Sequence, residues 1–310
     1  MSARAVPRAR AARVAAQAKV NLRLRVLARE ASGYHQIETL FLRLALADDV
    51  HVRATDGARS LDADGDVDPR QLGAPERNLA WRAADAYAEA TGWPAGFAIE
   101  LRKRIPVGGG LGGGSADAGA VLRALDAMAA SPLGERALLS LAERLGADVP
   151  FLTSGNAYAL AWGRGERLLA LTAPAEREVL LVLPSFAVNT SEAYRWLASR
   201  GDEEPARRAD AGVLDPTALS QWPAIGRLAS NDFEPVVAAR HPSVDAALAR
   251  LREHGCAPAM MSGSGSSLFG VLPEGVRADV PRFDGEHGGP APRVLLTRTA
   301  TDVAPVIPLA

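Results

Sequence analysis

Between residues 106 and 117 the chain reads Pro-Val-Gly-Gly-Gly-Leu-Gly-Gly-Gly-Ser-Ala-Asp, with glycine at six of the seven positions from Gly108 to Gly114. So much glycine leaves few Cβ atoms in the way of a ligand, and it admits backbone with φ > 0, in which successive N–H groups converge on an anion. An alternating run, Phe97, Ile99 and Leu101, precedes the loop and predicts a strand. Val121, Leu122, Leu125, Met128 and Ala129 follow at helical spacing and predict a helix from Ser115 to about Ala130. A strand, a glycine loop and a helix start in that order form a phosphate cradle, because the first helical N–H groups and the positive dipole end point at the same spot. A turn alone does not need six glycines. No Gly-Lys-Ser/Thr follows, so this is not a P-loop, and no short βαβ unit with a suitably placed acid supports a dinucleotide fingerprint. Asp117, in the first helical turn, reads as a dipole-stabilising residue.

The rest of the chain sets the frame. Its 310 residues suit two ordinary domains or one large one, and 48% apolar with 23% charged residues is ordinary globular composition. A net charge of −1 argues against a nucleic-acid protein, and no apolar run approaches the ~18 residues of a membrane span. The single cysteine, Cys256, cannot form an internal disulfide, which fits a reducing cytoplasm. Of the 35 basic residues only Lys19 and Lys103 are lysine. Ammonium and guanidinium are not interchangeable at a site, so these two draw attention.

Val20, Leu22, Leu24 and Val26 alternate with Asn21, Arg23 and Arg25, which predicts a strand with one buried face and with Lys19, Asn21 and Arg23 on the other. Residues 1–16, basic and without acids, read as a frayed extension, and residues 55–77, rich in Asp, Gly and Pro, as a long loop. Asn78 caps a predicted helix to about Ala90, with Gly92 past its end. Further helices are predicted over about 134–145 and 243–253, strands over 156–162, 179–183 and 294–296, two short strands around the Ser-Gly stretch 262–267, and a surface connection over 200–217. Strands and helices alternate unevenly, so the class is α+β. Asp148, after a helix stop and before Pro150, reads by itself as a turn or cap residue. His35 gains no role from spacing alone.

In this order the pieces resemble the GHMP kinases (galactokinase, homoserine, mevalonate and phosphomevalonate kinases), and within them the branch of 4-diphosphocytidyl-2-C-methyl-D-erythritol kinases. Ala18-Lys19-Val20-Asn21-Leu22 resembles the first motif, and Gly33-Tyr34-His35 with Thr39-Leu40-Phe41 a signature of the branch. Residues 106–117 resemble the phosphate loop, Gly146-Ala147-Asp148-Val149-Pro150-Phe151 the catalytic segment, and Asn231-Asp232-Phe233-Glu234 with 261–270 the later motifs. The likeness runs from about residue 15 to 272. Gln17 stands where the family usually has proline, and Ala116 where the branch commonly has a second serine. Gly113 and Gly114 stand where the superfamily often has hydroxyl residues, so Mg²⁺ ligands are unassigned.

The resemblance implies two α+β domains, 1–165 binding nucleotide and 166–310 binding substrate, with the site between them. It implies that ATP with Mg²⁺ phosphorylates the 2-hydroxyl of a cytidine-diphosphate-linked methylerythritol, in the non-mevalonate route to isoprenoids. The enzyme would be a cytoplasmic monomer or homodimer without nucleic-acid or membrane partners. Asp148 would accept or orient the hydroxyl proton, and Lys19 would pair with it and place positive charge near the transferring group. Pro106, Gly108, Gly109, Gly110, Leu111, Gly112, Gly113, Gly114 and Ser115 would bind the ATP phosphates, with Asn78, Leu79 and Lys103 on the nucleotide side. Asn21 would orient the reacting alcohol or phosphate, Tyr34 and His35 would recognise cytidine, and Phe186 would stack on the other face of its base. Gly263, Ser264 and Gly265 would close over the substrate diphosphate. The rivals are a GHMP kinase for another small alcohol, a catalytically dead relative acting as a small-molecule regulator, and a nucleotide-binding structural module.

Overall fold

The computed structural model describes residues 9–30, 33, 35–67, 73–199, 215–276, 280–286 and 289–309. Two sheets organise them. The larger is built on β1 (Ala11–Arg29) and β2 (His35–Thr55), which pair antiparallel along almost their whole length. β3 (Arg59–Gly65) and β4 (Gly96–Lys103) lie side by side in parallel, and β4 pairs with the second half of β2. The first half of β2 pairs with β5 (Tyr158–Gly163), which turns back as β6 (Arg167–Ala170). The smaller sheet has the order β11–β7–β10–β9, from β7 (Glu178–Leu183), β9 (Ala259–Met261), β10 (Leu268–Val271) and β11 (Arg293–Arg298). The two-residue β8 (Ser230–Asn231) runs parallel to β1, and the chain returns to the larger sheet as β12 (Val306–Leu309) on β1's outer edge. The expected division at 165/166 falls inside the β5–β6 hairpin.

The helices cover these sheets. α1 (Leu79–Thr91) is capped by the Asn78 side chain, which accepts the Ala80 N–H at 2.9 Å, and ends on Gly92 in the left-handed region. α2 (Gly113–Met128) packs on β1, β2 and α1. It can lie so close because its inner face carries alanine and glycine: Ala116, Ala118, Gly119, Ala120 and Ala124 are all buried. α3 (Glu135–Glu143) and the five-residue α4 (Val149–Thr153) follow against it. α5 (Thr190–Ser199), α6 (Trp222–Leu228), α7 (Glu234–Ala238) and α8 (Pro242–Glu253) complete the second half. One apolar cluster fills the space under α1, α2 and α4. A second, around Leu180, Val182, Val237, Leu248 and Leu268, sits under α7 and α8 and reaches Leu24 and Ile37 of the first sheet.

Three expectations are corrected here. β1 starts at Ala11, so most of the supposed basic extension that is described is strand, with Arg13 paired to Asp49. Residues 55–77 include β3, whose weak apolar content reflects an exposed sheet edge. β1 is buried on both faces from Ala16 to Leu24, because α2 covers one side and the second half of the chain abuts the other, so Lys19, Asn21 and Arg23 are buried and not solvated. Most of the surface connection expected over 200–217 lies outside the described residues.

Candidate active site

The site begins where β1 passes under the glycine loop. The Lys19 N–H donates to the Leu111 carbonyl at 3.0 Å, which pins the loop to the strand. Gly110 and Gly112 both have φ near +75°. A Cβ on Gly112 would stand 3.0 Å from Lys19 Cγ and 3.1 Å from Cε, and one on Gly110 would press into the Ser262 carbonyl. These glycines are therefore required both by conformation and by close approach. The second glycine-rich stretch interlocks with the first. Ser262 Oγ donates to the Gly110 carbonyl at 3.0 Å, and the Ser267 N–H to that of Gly109 at 3.2 Å.

Lys19 reaches from β1 toward the start of α4. Its Nζ lies 3.3 Å from Asp148 Oδ2 and donates to Asn21 Oδ1 at 2.7 Å. Asn21 Nδ2 in turn donates to Thr39 Oγ1 at 2.8 Å, and Thr39 Oγ1 to the Arg23 carbonyl at 2.6 Å. This relay holds the ammonium in place, so Asn21 acts on Lys19 from beneath it. The Lys19 side chain is 3% exposed and that of Asp148 29%, so the carboxylate is the open member of the pair. The ladder between β1 and β2 breaks between Gln17 and Lys19, where β2 carries extra residues, and irregularities of this kind re-aim side chains. Gln17, in the usual proline position, accepts the Ala304 N–H at 2.8 Å and donates to the Asp302 carbonyl, tying the C-terminal run to β1.

Asp148 lines one cavity, and its chain neighbours Gly146 and Ala147 line a second. The smaller, about 350 Å³, is lined by Asn78, Leu79, residues 105–115 of the glycine loop and Asp148 itself. The larger, about 1110 Å³, is lined by Gly146 and Ala147 at one side and by His35, Thr190 and Tyr194 at the other, with Arg29, Arg82, Arg144 and Arg195 around it. The His35 ring stacks on Tyr194 with centroids 4.1 Å apart. Burial, and next the Arg29 cation, hold the His35 imidazole below its ordinary pKa, so at neutral pH the ring is uncharged and offers one donor and one acceptor. Burial, then the Asp148 carboxylate, push the Tyr194 phenol up.

Lys103 is buried, and its ammonium lies on Asp48 and Asp117. Asp48 Oδ1 also accepts the N–H groups of Arg104 and Ile105, at 2.5 and 2.8 Å. The cluster thus ties the end of β4, at the entrance of the glycine loop, to β2 and α2. Lys103 lines the smaller cavity, but its charge is spent beneath the loop. Asp117 is a member of this cluster and not a dipole partner. Burial pushes its carboxyl up to about 7, as expected where two carboxyls share one cation away from water.

One substrate-side expectation changes. Phe186 stacks on His241 at 3.8 Å and lines a different, small cavity, so it does not line the cavity that His35 lines. The aromatic that does is Tyr194. Its sequence signal was the helical spacing of Ala193, Tyr194 and Leu197 in α5, which reads as packing until the fold brings α5 to β2. Tyr34 lies outside the described residues. Gly263 approaches Lys19 Nζ, where an added Cβ would stand at 3.5 Å, and Ser264 Oγ lies 2.9 Å from Thr190 Oγ1. Asn231 explains that placement, since its Nδ2 donates to the carbonyls of Met261 and Gly263, both at 2.8 Å. Asp232 accepts the Val26 N–H and Glu234 that of Met261, each at 2.8 Å, so this motif clamps the Ser-Gly stretch to β1.

Residues 78–164 match the family described as GHMP kinases N terminal domain, and residues 217–282 that described as GHMP kinases C terminal. The 4-diphosphocytidyl-2-C-methyl-D-erythritol kinase of Nitratidesulfovibrio vulgaris strain Hildenborough is 39% identical over 263 residues, 82% of this chain and 87% of the relative. That of Anaeromyxobacter sp. strain K is 40% identical over 295 residues, 92% of this chain and 89% of the relative. A crystal structure of 4-(cytidine 5'-diphospho)-2C-methyl-D-erythritol kinase superposes with a TM-score of 0.70 at 33% identity, covering 93% of this chain and 98% of that one. Homoserine kinase from Cytophaga hutchinsonii, 20% identical with a TM-score of 0.62, shares the fold. With its loop, its Lys19–Asp148 pair and these relatives together, the chain belongs to the 4-diphosphocytidyl-2-C-methyl-D-erythritol kinase family of the GHMP kinases.

Proposed function

We propose that Asp148 and Lys19 are the groups through which this kinase phosphorylates the 2-hydroxyl of 4-diphosphocytidyl-2-C-methyl-D-erythritol. The chain is an ATP-dependent kinase of non-mevalonate isoprenoid biosynthesis. The observation that supports the residue assignment is the position of Asp148, in contact with Lys19, in the lining of the glycine-lined cavity, and adjacent in the chain to Ala147, which lines the larger cavity with the aromatic wall.

The smaller cavity suits the triphosphate, since close-packed backbone without Cβ atoms presents N–H groups to anionic oxygens. Asn78 and Leu79, at the start of α1, line its nucleotide side. The larger cavity suits the cytidine diphosphate. The neutral His35 ring has a donor and an acceptor for a base edge, Tyr194 supplies a stacking face, and the surrounding arginines suit a diphosphate. Asp148 then accepts or orients the proton of the hydroxyl that meets the γ-phosphate, and Lys19 places charge beside the equatorial oxygens. Among the described residues no group of three acidic, histidine or cysteine side chains gathers as a metal cage. Ser115, at the first turn of α2 in the smaller cavity, is the side chain that would join nucleotide oxygens and water around Mg²⁺. When bound, the ion neutralises phosphate charge. No helix among the described residues is long and apolar enough to cross a membrane, and the cytoplasm is the proposed compartment.

The cytidine assignment is tested by His35→Ala and Tyr194→Ala. Each is expected to raise KM for the cytidine substrate by about tenfold, given roughly 1–3 kcal/mol for a base-stacking contact, while KM for ATP stays near the wild-type value. Equal rises in both KM values would remove these residues from the cytidine pocket.

A further inference from the structure

Arg43 is a fully buried arginine, 1% exposed, that the motifs above leave without a role. It sits on β2 directly across from Lys19 on β1. Cross-strand partners project from the same face of a sheet, so both cations point toward α4. Lys19 meets Asp148, the residue that opens α4. Arg43 meets the opposite end. Its Nη2 donates to the carbonyls of Phe151 and Ser154, at 2.8 and 3.0 Å, and its Nε to that of Asn156, at 3.0 Å. Among the described residues no carboxylate pairs with it.

The environment explains why an arginine is needed. A helix of five residues cannot hold its own geometry, and near its end the Phe151 carbonyl has, besides Arg43, only the Ser154 hydroxyl, which donates to it at 2.8 Å. The guanidinium supplies donors from two separate nitrogens in a fixed plane, which lets one side chain satisfy three carbonyls spread over six residues. The Phe151 ring fixes the rest. It stacks on Phe41 at 4.9 Å and lies under the Arg43 guanidinium at 5.1 Å, and Lys19 Nζ lies over the same Phe41 ring at 5.6 Å. Lys19, Phe41, Phe151 and Arg43 thus form one packed row that runs from β1 and β2 into the short helix. Burial, together with the nearby Arg123 cation, pushes the Arg43 pKa down to about 9, so the group still carries its charge at neutral pH.

We propose that Arg43 is a positioning residue for phosphoryl transfer: by fixing the C-terminal end of α4 it sets the carboxylate of Asp148 against Lys19. This rests on the reading of Asp148 and Lys19 as the catalytic pair. Arg43 lines neither cavity, so it acts on the chemistry through the placement of groups packed with it, first among them the carboxylate at the other end of α4. A displacement of about 1 Å at a catalytic group can cost on the order of a hundredfold in rate.

The test compares Arg43→Lys, Arg43→Met and Asp148→Asn, with folding followed by circular dichroism and thermal melting. Arg43→Lys keeps stem and charge, and it serves if Arg43→Met does not fold. Folded Arg43→Lys is expected to lose about ten- to a hundredfold in kcat, with KM for ATP and for the cytidine substrate nearly unchanged. On an Asp148→Asn background the same substitution should leave the residual rate where it was, because there is no longer a carboxylate to place. A folded Arg43→Lys with wild-type kcat, or a loss of equal size on both backgrounds, would overturn the positioning role. Wild-type kcat in Asp148→Asn itself would instead sink the catalytic pair and leave Arg43 a purely structural residue.

Discussion

Lys19→Arg, a substitution that keeps the charge, is expected to lower kcat by at least ~10²-fold, the contribution of a placed charge at a transferring group. The reason is room. The lysine side chain is 3% exposed, and its stem runs under Gly112 so closely that even one Cβ added there would stand 3.0 Å from it. Gly263 closes the other side. A planar guanidinium is larger than an ammonium and fits a different geometry, so arginine must either displace the loop or draw away from Asp148. Lys19→Met removes the charge without the crowding and serves as the companion. Both are expected to be inactive, with the methionine variant melting near wild type and the arginine variant less stable. Steady-state ADP release with thermal melting on the same preparations makes the measurement. An arginine variant keeping more than about a tenth of kcat would show that the site needs only positive charge, not this ammonium.

Asp148→Asn keeps the shape of the side chain and removes the negative charge and the proton acceptor. The expected result is again a loss of at least ~10²-fold in kcat, since general-base assistance alone supplies about 10²–10⁴. Stability should hardly change. Asp148 makes no side-chain cap to α4, and at 29% exposure its pairing with Lys19 is partly solvated. The split between kcat and melting temperature is the measurement. A large fall in stability with kcat retained would make Asp148 a structural partner for the buried Lys19.

Much of this site is legible in the sequence because its parts are local. The glycine loop and the Asn78 cap carry their own signals, the two lysines in an arginine-rich chain both mark the site region, and the Asp148 segment stands out only through its resemblance to the family's catalytic segment. What the sequence hides depends on distant packing. Alternation along β1 predicts one solvated face, but α2 and the second half of the chain bury both. The resemblance implies that Phe186 stacks on one face of the base, yet the turn after β7 leads it to His241, while α5 carries Tyr194 back to His35. Lys103 resembled a nucleotide-side cation, but Asp48, 55 residues away, and Asp117 take its charge. Arg43 gave no signal at all, since its partners are backbone carbonyls of a helix more than a hundred residues on.

On the proposed reading, one carboxylate, in the lining of the phosphate cavity and next to the cytidine cavity, commits this fold to a single kind of acceptor. ADP release by the wild-type protein with ATP and Mg²⁺ tests it most directly, with 4-diphosphocytidyl-2-C-methyl-D-erythritol offered against mevalonate, homoserine and galactose. Turnover is expected with the cytidine substrate and background rates with the other three. Equal or faster ADP release with any of those small alcohols would contradict it.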